Sequence, residues 1–106
     1  MKLAMDDSQF QELVDDEFVR IEDRIDELDL DADIDTAGDV LSITLENGTS
    51  IVLSRQVANH EIWVAAKSGG FHLGHDGDQW MCATTGEDLD TLINRVFTEQ
   101  AGTNLF

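Results

Sequence analysis

Apolar residues recur at helical spacing near the start of the chain. They are separated by one, three or four positions: Phe10, Leu13, Val14, Phe18, Ile21, Ile25 and Leu28. This spacing places them on one face of an α-helix. Asp7 or Ser8 is a suitable N-cap, and acidic side chains in the first turn suit the helix dipole. The pattern predicts a helix over about 7–28.

The middle of the chain alternates between apolar and polar residues, which is typical of strands with one buried face. Strands are predicted at 40–46, 49–55, 61–67, 71–75 and 79–83. Asn47-Gly48 is a strong hairpin signal, and Ser68-Gly69-Gly70 and Asp76-Gly77-Asp78 are expected to form the next two turns. Turns this short join antiparallel strands, because a parallel pair needs a much longer crossover.

A second helix is predicted after the strands. Thr84-Thr85-Gly86-Glu87 has the spacing of a capping box, and apolar residues follow at helical spacing up to about Gln100, before Gly102. The order of helix, strands and helix predicts an α+β two-layer sandwich, with both helices packed on one face of an antiparallel sheet. The other sheet face is expected to be open to solvent, and residues 1–106 are expected to form a single domain.

The net charge excludes more classes of function than the hydrophobic content does. The chain has 106 residues, of which 42% are hydrophobic, so it can build a core. It carries 23 acidic residues against 6 lysines and arginines, a formal net charge of −17. This charge argues against binding to nucleic acid or to an anionic membrane surface. Cations and basic protein surfaces are the partners that it favours.

Targeting signals and cysteine chemistry add little. The N-terminus turns acidic at Asp6 without an apolar signal core, and no run approaches the ~20 apolar residues of a membrane span. These features predict a soluble cytoplasmic protein. The single cysteine, Cys82, excludes an internal disulfide and is expected to be buried in a strand.

The acidic residues are concentrated early in the chain. Fourteen of the 23 lie between Asp6 and Asp35, opposed by two arginines. Two pairs are spaced by four residues on the helix face opposite the apolar stripe: Glu22 with Asp26, and Asp23 with Glu27. Further aspartates alternate and would share one face of an extended segment: Asp29, Asp31, Asp33 and Asp35. We call these eight residues the acidic ridge.

The acidic ridge has two interpretations. A run of charge is usually a solvated face that keeps a protein soluble. Carboxylates also bind hard cations such as Ca²⁺, Mg²⁺, Mn²⁺ and Fe³⁺, or a basic partner surface. Exposed acids on a helix rarely converge on one ion, so weak and exchangeable binding is expected. An EF-hand is excluded, because a loop starting at Asp31 would place Thr36 at the glycine position and Ser42 at the glutamate position.

The exposed sheet face offers a second candidate site. Trp63 lies between Ile62 and Val64, so it should point outward beside Ser54 and Gln56. The alternative is a shifted register that buries Trp63; Trp80 is expected in the core. The histidines lack the spacing of a zinc site, and no nucleophile accompanies a base. An enzyme is therefore not expected.

Short motifs along residues 7–102 resemble one family in order and in spacing. They are Ile21-Glu22-x-Arg24-x-Asp26, Asp31-x-Asp33-Ile34-Asp35, Val40-Leu41-x-Ile43-Thr44, Glu46-Asn47-Gly48, Arg55-Gln56, His60-x-x-Trp63-x-Ala65-x-Lys67-x-Gly69-Gly70, Gly77-Asp78-x-Trp80-x-Cys82, Gly86-Glu87 and Gln100-Ala101-Gly102. Together they resemble the frataxins, and in particular the bacterial members of that family.

The resemblance implies two helices on an antiparallel sheet and a role in iron–sulfur cluster assembly. It implies a regulator or adaptor, and an iron donor, that acts on a cysteine desulfurase and an iron–sulfur scaffold protein. The implied ligands for iron (Fe²⁺ or Fe³⁺) are Glu22, Asp23, Asp26, Glu27, Asp29, Asp31, Asp33 and Asp35; other divalent or trivalent cations can substitute. The implied partner contacts are Glu22, Asp23, Asp26, Glu27, Gln56 and Trp63.

Further hypotheses remain open. The chain is expected to be monomeric, with oligomers that form when metal is added. A ferroxidase or iron-storage protein acting on Fe²⁺ is the alternative function, although the sequence lacks the Glu-x-x-His pattern of di-iron sites. A third hypothesis is an acidic protein that masks a basic partner without any role for metal.

Overall fold

The computed structural model describes residues 5–106. Its helices and strands are α1 (Asp7–Glu27), β1 (Ala32–Ala37), β2 (Val40–Leu45), β3 (Ser50–Gln56), β4 (Glu61–Ala66), β5 (Gly69–His75), β6 (Trp80–Cys82) and α2 (Leu89–Ala101). A single 3₁₀ turn, Val57–Asn59, follows β3. The strands form one antiparallel sheet in chain order. Both helices contribute to the one core with this sheet, so the predicted α+β sandwich is confirmed.

Helix α1 begins at Asp7, and its N-cap is Asp6, so the predicted caps Asp7 and Ser8 are wrong. The carboxylate of Asp6 accepts a hydrogen bond from the N–H of Gln9 at 2.8 Å, and the Gln9 side chain accepts one from the N–H of Asp6 at 3.1 Å. This reciprocal pair satisfies two free N–H groups at the helix start. Most of the predicted apolar stripe is buried, in particular Phe10, Phe18 and Ile21. Its last residue, Leu28, is the C-cap of the helix and is exposed.

The two faces of the sheet differ in the way that alternation predicts. The face toward the helices carries buried apolar residues: Leu41, Ile43, Leu45, Ile51, Leu53, Ile62, Val64 and Leu73. Trp80 and Cys82 on β6 are also buried, as predicted. The opposite face, which we call the open face, carries the alternate residues of each strand.

The turn between β4 and β5 differs from the predicted one. Ala66 pairs with Gly69, so the turn consists of Lys67 and Ser68, and both Gly69 and Gly70 belong to β5. Gly69 has φ of +146°, a conformation that favours glycine. The Gly-Gly pair therefore starts a strand and does not form the turn.

The predicted capping box at Thr84–Glu87 is wrong. Helix α2 begins at Leu89, and Asp88 is its N-cap, with a carboxylate that accepts the N–H of Thr91 at 2.9 Å. The preceding residues are held against β6, because the N–H of Cys82 donates to the carbonyl of Glu87 at 2.8 Å. Because this hydrogen bond holds the segment in a non-helical conformation, α2 begins only after Asp88.

Gln100 is a buried polar residue that joins α2 to the sheet. Its side-chain oxygen accepts the N–H of Lys67 at 2.9 Å. Its side-chain nitrogen donates to the hydroxyl of Thr49 at 3.0 Å and to the carbonyl of Ser50 at 3.2 Å. Because Gln100 is 7% exposed, water cannot easily replace these partners.

The C-terminal residues pack back onto both helices. Leu105 is fully buried. The amide oxygen of Asn94 on α2 accepts the N–H groups of Leu105 and Phe106 at 3.1 and 2.8 Å. Nε of Arg24 on α1 donates to the carbonyl of Leu105 at 2.7 Å. The tail thus links α1 and α2 through polar contacts that the hydrophobic pattern did not indicate.

Neither α1 nor α2 combines the length and the apolar character that crossing a membrane requires, as far as residues 5–106 are concerned. The predicted absence of a signal core falls partly on residues 1–4, which lie outside the described residues.

Replacing Gln100 by alanine is expected to destabilise the protein by about 2–3 kcal/mol, because three partly buried hydrogen bonds lose their partner. Urea unfolding followed by circular dichroism measures this loss. Gln79→Ala, at an exposed position before β6, is the control and should change stability by less than about 0.5 kcal/mol. Equal effects of the two substitutions would contradict a linking role for Gln100.

The contact between Glu87 and Arg95 predicts a pH dependence. Arg95 donates two hydrogen bonds to Glu87, at 2.9 and 2.8 Å, and these hold the pKa of the carboxyl below its ordinary value of 4.5. A depressed pKa stabilises the fold above the unfolded-state value, and the stabilisation is lost as pH falls through the folded-state value. Glu87→Gln should therefore cost about 1 kcal/mol at neutral pH.

The measurement is the difference in unfolding free energy between wild type and Glu87→Gln as a function of pH. This difference should stay constant above pH 4.5 and shrink below it. Glu46→Gln, an exposed acid without an ion pair in the described part of the chain, serves as the control. A Glu87→Gln difference that persists in acid would show that the ion pair does not contribute in this way.

Candidate functional site

The basic groups of the chain are distributed unevenly among the acids. Three of their ion pairs join α1 or α2 to another part of the fold: Arg20 with Asp90, Arg55 with Asp15, and Arg95 with Glu87. The side chain of His60 also contacts Asp7 at 2.7 Å. The pairs of Arg20 with Glu17 and of Arg95 with Glu99 lie within one helix. Asp7, Asp15 and Glu17, in the first half of α1, thus have a basic partner.

The helical part of the acidic ridge has a different environment. Within residues 5–106 its one ion pair joins Arg24 and Glu27 at 3.5 Å. Glu22, Asp23 and Asp26 have none among the described residues, and the two aspartates are exposed. Arg24 also uses its Nε to hold the C-terminal tail. The ridge is therefore a surface of uncompensated negative charge.

The strand part of the ridge is shorter than predicted. Asp33 and Asp35 lie on β1 and share the open face, as their alternation predicts. Asp31 precedes the strand. The prediction is wrong for Asp29, which lies in the turn after α1 with φ of +52° and donates its N–H to the carbonyl of Asp26 at 3.0 Å. Aspartate tolerates this left-handed conformation better than most residues, which suits it to follow a helix end.

The ridge therefore spans both layers of the sandwich. Asp23 and Asp26 lie on the helix layer, whereas Asp33 and Asp35 point from the open face of the sheet. The turn between α1 and β1 joins the two parts. This arrangement presents carboxylates around one edge of the molecule.

The ridge carboxylates do not form a closed metal site. Among the described residues no three His, Cys, Asp or Glu side chains come together in a group that could hold a metal ion. A hard cation at the ridge would meet one or two carboxylates and keep much of its water shell. The geometry suits weak and exchangeable binding, and it does not select one metal.

Trp63 lies on the open face, as predicted, and the shifted register is excluded. It pairs with Ser54 on one side and with His72 on the other. Its ring stacks on His72 with centroids 4.1 Å apart and planes inclined by 6°. Its indole N–H donates to the Glu61 carboxylate at 2.9 Å. Trp63 is half-buried by these contacts and presents a rigid aromatic surface to solvent.

Gln56 lies near Trp63, at the end of β3. It pairs with Glu61 and shares the open face, where its amide donates weakly to the hydroxyl of Ser54 at 3.5 Å. The residue is partly exposed. Gln56 and Trp63 are thus brought together as the sequence predicted, although their role in partner binding stays a prediction.

Arg55 points the other way, toward the helices. Its side chain is 11% exposed and pairs with Asp15 at 2.7 Å. It also donates to the side chain of Gln11 at 2.6 Å and lies over the ring of Phe18 at 5.0 Å. Arg55 thus links α1 to the sheet. Of the two consecutive residues Arg55 and Gln56, it is Gln56 that lies on the open face.

Two residues that contact Trp63 on the open face were not predicted from the sequence. His72 and Glu61 hold Trp63 from two sides. Glu61 is two residues before Trp63, so alternation alone could have placed both on one face. The position of His72 depends on the β4–β5 register, which the incorrectly predicted turn obscured.

The molecule is a two-layer α+β domain with an acidic first helix and an open sheet face. Residues 3–103 match the family described as the frataxin-like domain, and the chain belongs to this family.

Solved structures are consistent with this assignment. The frataxin from Psychromonas ingrahamii, studied as a model of stability modulation within the CyaY protein family, is 28% identical. It matches with a TM-score of 0.88 over 96% of this chain and 99% of that one. A trimeric frataxin from Saccharomyces cerevisiae, complexed with ferrous iron, has a TM-score of 0.65 and 18% identity over 96% and 88% of the two chains. The yeast protein shares the fold.

Neutralising unpaired ridge acids is expected to stabilise the protein at low salt. Asp23→Asn with Asp26→Asn should raise the free energy of unfolding by about 0.5 kcal/mol, because like charges at this spacing repel. The gain should fall toward zero in about 1 M KCl, where the screening length is about 3 Å.

The matched comparison is Asp15→Asn, an acid on the same helix that pairs with Arg55. This substitution should destabilise the protein by about 1–2 kcal/mol, because it leaves a largely buried guanidinium without its counter-ion. Urea unfolding measures both variants. A stabilising effect of Asp15→Asn, or a loss of stability in the ridge variant, would contradict the division into paired and unpaired acids.

Proposed function

We propose that this protein is an iron-binding regulator and adaptor of iron–sulfur cluster assembly, and also an iron donor. In this proposal the acidic ridge docks on a cysteine desulfurase and its iron–sulfur scaffold protein. The protein acts by binding and not by catalysis. Its membership of the frataxin family supports the assignment.

The observation that carries the proposal is the uncompensated charge of the ridge. Arginines pair with several other acids of the helices, yet the neighbouring acids Glu22, Asp23 and Asp26 have no such partner in the part of the chain that the structure describes. Repulsion between them costs stability. A basic partner surface would attract these carboxylates and offset their mutual repulsion. The same attraction would accelerate the association of the two proteins.

Iron fits the same surface. Carboxylate oxygens suit hard cations, and the yeast frataxin of the same fold is described as a complex with ferrous iron. Because ridge carboxylates would serve both iron and the desulfurase, iron occupancy would change docking, and docking would change iron affinity by the same factor. Such coupling would make the protein responsive to iron. Carboxylates shared between molecules would also account for metal-driven oligomers of an otherwise monomeric protein.

The open face supplies the second proposed contact. Trp63 and Gln56 lie on it at diagonal positions of β4 and β3, and Trp63 is held by its contacts with His72 and Glu61. A rigid aromatic ring loses little conformational freedom on binding. We assign this contact to the desulfurase–scaffold complex, with the ridge as the electrostatic contact.

The ferroxidase alternative has no specific support among the described residues, which contain no metal-holding group of three. Anaerobic loading with Fe²⁺ followed by oxygen tests it. Oxidation faster than in a solution of free carboxylate at the same concentration would favour the alternative.

Charge reversal on the ridge is expected to abolish docking. Asp23→Lys with Asp26→Lys should weaken binding to purified cysteine desulfurase by at least about tenfold at low salt, because two attractions become repulsions. Biolayer interferometry at low and high salt, with and without Fe²⁺, measures the affinity. Wild-type binding should weaken steeply with salt.

The control reverses two other exposed acids of the same helix, Glu12→Lys with Asp16→Lys, which also lack ion pairs in residues 5–106. This variant has the same net charge as the ridge variant, so a position-specific contact predicts that it binds nearly as well as wild type. Equal losses of affinity in both variants would show that binding depends on the overall negative charge and not on the position of the ridge. Unchanged binding of the ridge variant would exclude the ridge as the contact.

A further inference from the structure

Strand β1 leaves one edge of the sheet open. It pairs with β2 on its inner side, and five of its six residues are exposed. The other edge, β6, has only three residues and is partly covered, since Met81 forms a bridge with Asp88 and the N–H of Cys82 donates to Glu87. In the described part of the chain β1 is therefore the edge available for pairing.

The hydrogen-bond pattern shows which backbone groups face outward from β1. The N–H of Leu45 donates to the carbonyl of Thr49 at 2.8 Å, so the backbone polar groups of Leu45 point toward β3. These groups alternate along a strand, so those of Ile43 point the same way. Ile34 pairs with Ile43, and the N–H and C=O of Ile34 and Thr36 are consequently directed to the outer side of β1.

The side chains of β1 specify what an added strand would need. Asp33 and Asp35 point from the open face, and neither forms an ion pair within residues 5–106. Ile34 lies between them on the other face and is 37% exposed, one of the largest apolar exposures among the described residues. In an added antiparallel ladder, the aspartates would occupy non-hydrogen-bonded positions, where facing side chains approach most closely.

We propose that the β1 edge accepts an extended segment of a partner protein with the pattern basic, apolar, basic. Two lysine or arginine side chains would face Asp35 and Asp33, and the apolar residue between them would cover Ile34. The partner backbone would hydrogen-bond to Ile34 and Thr36. A second copy of this chain does not fit, because aspartates would face aspartates, and like charges directly opposite destabilise a sheet.

This inference goes beyond the proposed function, because it assigns a conformation and a sequence pattern to the partner. It is tested without iron and without a desulfurase, so its failure would leave the proposed function untouched. The probe is a capped seven-residue peptide of alternating lysine and valine, titrated into ¹⁵N-labelled protein at low salt.

Saturable binding is expected, with the amides of Ile34 and Thr36 gaining protection from hydrogen exchange. The control peptide has the same side chains but is N-methylated at the backbone amides that would face β1. It should bind at least about tenfold more weakly, because strand addition needs those donors. Equal binding of both peptides, or chemical-shift changes confined to α1, would overturn strand addition and leave a simple charge contact.

Charge reversal tests the side-chain pattern. Asp33→Lys with Asp35→Lys should bind the lysine peptide about tenfold more weakly and should gain binding to an alternating glutamate–valine peptide. Glu12→Lys with Asp16→Lys makes the same charge change on α1, outside the acidic ridge, and should retain the lysine peptide to within about threefold. Failure of the glutamate peptide to bind the first variant, or dimerisation of the wild type through β1 without peptide, would refute the proposed pattern.

Discussion

A shortage of positive charge constrains this structure throughout. With 23 acidic residues and 6 lysines and arginines, few acids can have a cationic partner. Arg20 joins α1 to α2, and Arg55 joins β3 to α1, so the available cations are used where elements meet. The acids far from those junctions are left uncompensated. The ridge is thus a consequence of where the fold places its arginines, since only Glu27 among its helical acids pairs with one, and the apolar core must offset the remaining repulsion.

The core that opposes this repulsion was predictable from periodicity. The stripe of α1 and the alternation of β2 both depend on the sequence itself, because each apolar residue must face the other layer. Errors arose where backbone hydrogen bonds decide the outcome. Asp88 and not Thr84 caps α2, because Cys82 binds the carbonyl of Glu87. Such hydrogen bonds depend on the tertiary structure, and no local sequence pattern predicts them.

The candidate site was likewise predictable only in part. The composition of the ridge and the outward position of Trp63 were visible in the sequence. The sequence could not show that Asp15 is paired while Asp23 is not, since the partner Arg55 is distant in the chain. Nor could it show that Asp29 leaves the row of alternating aspartates, because that depends on how α1 ends. Charge can be counted from residues, but its compensation depends on tertiary contacts.

The two tryptophans lie in contrasting environments, which gives the protein a built-in pair of optical reporters. Trp80 is 3% exposed and lies against Phe10 and His75 in the core. Trp63 is half-buried on the open face, and its ring stacks on His72. A dissolved quencher reaches Trp63 before it reaches Trp80. Fluorescence can therefore distinguish an event on the sheet surface from loosening of the core, in the unmodified chain and without an added label.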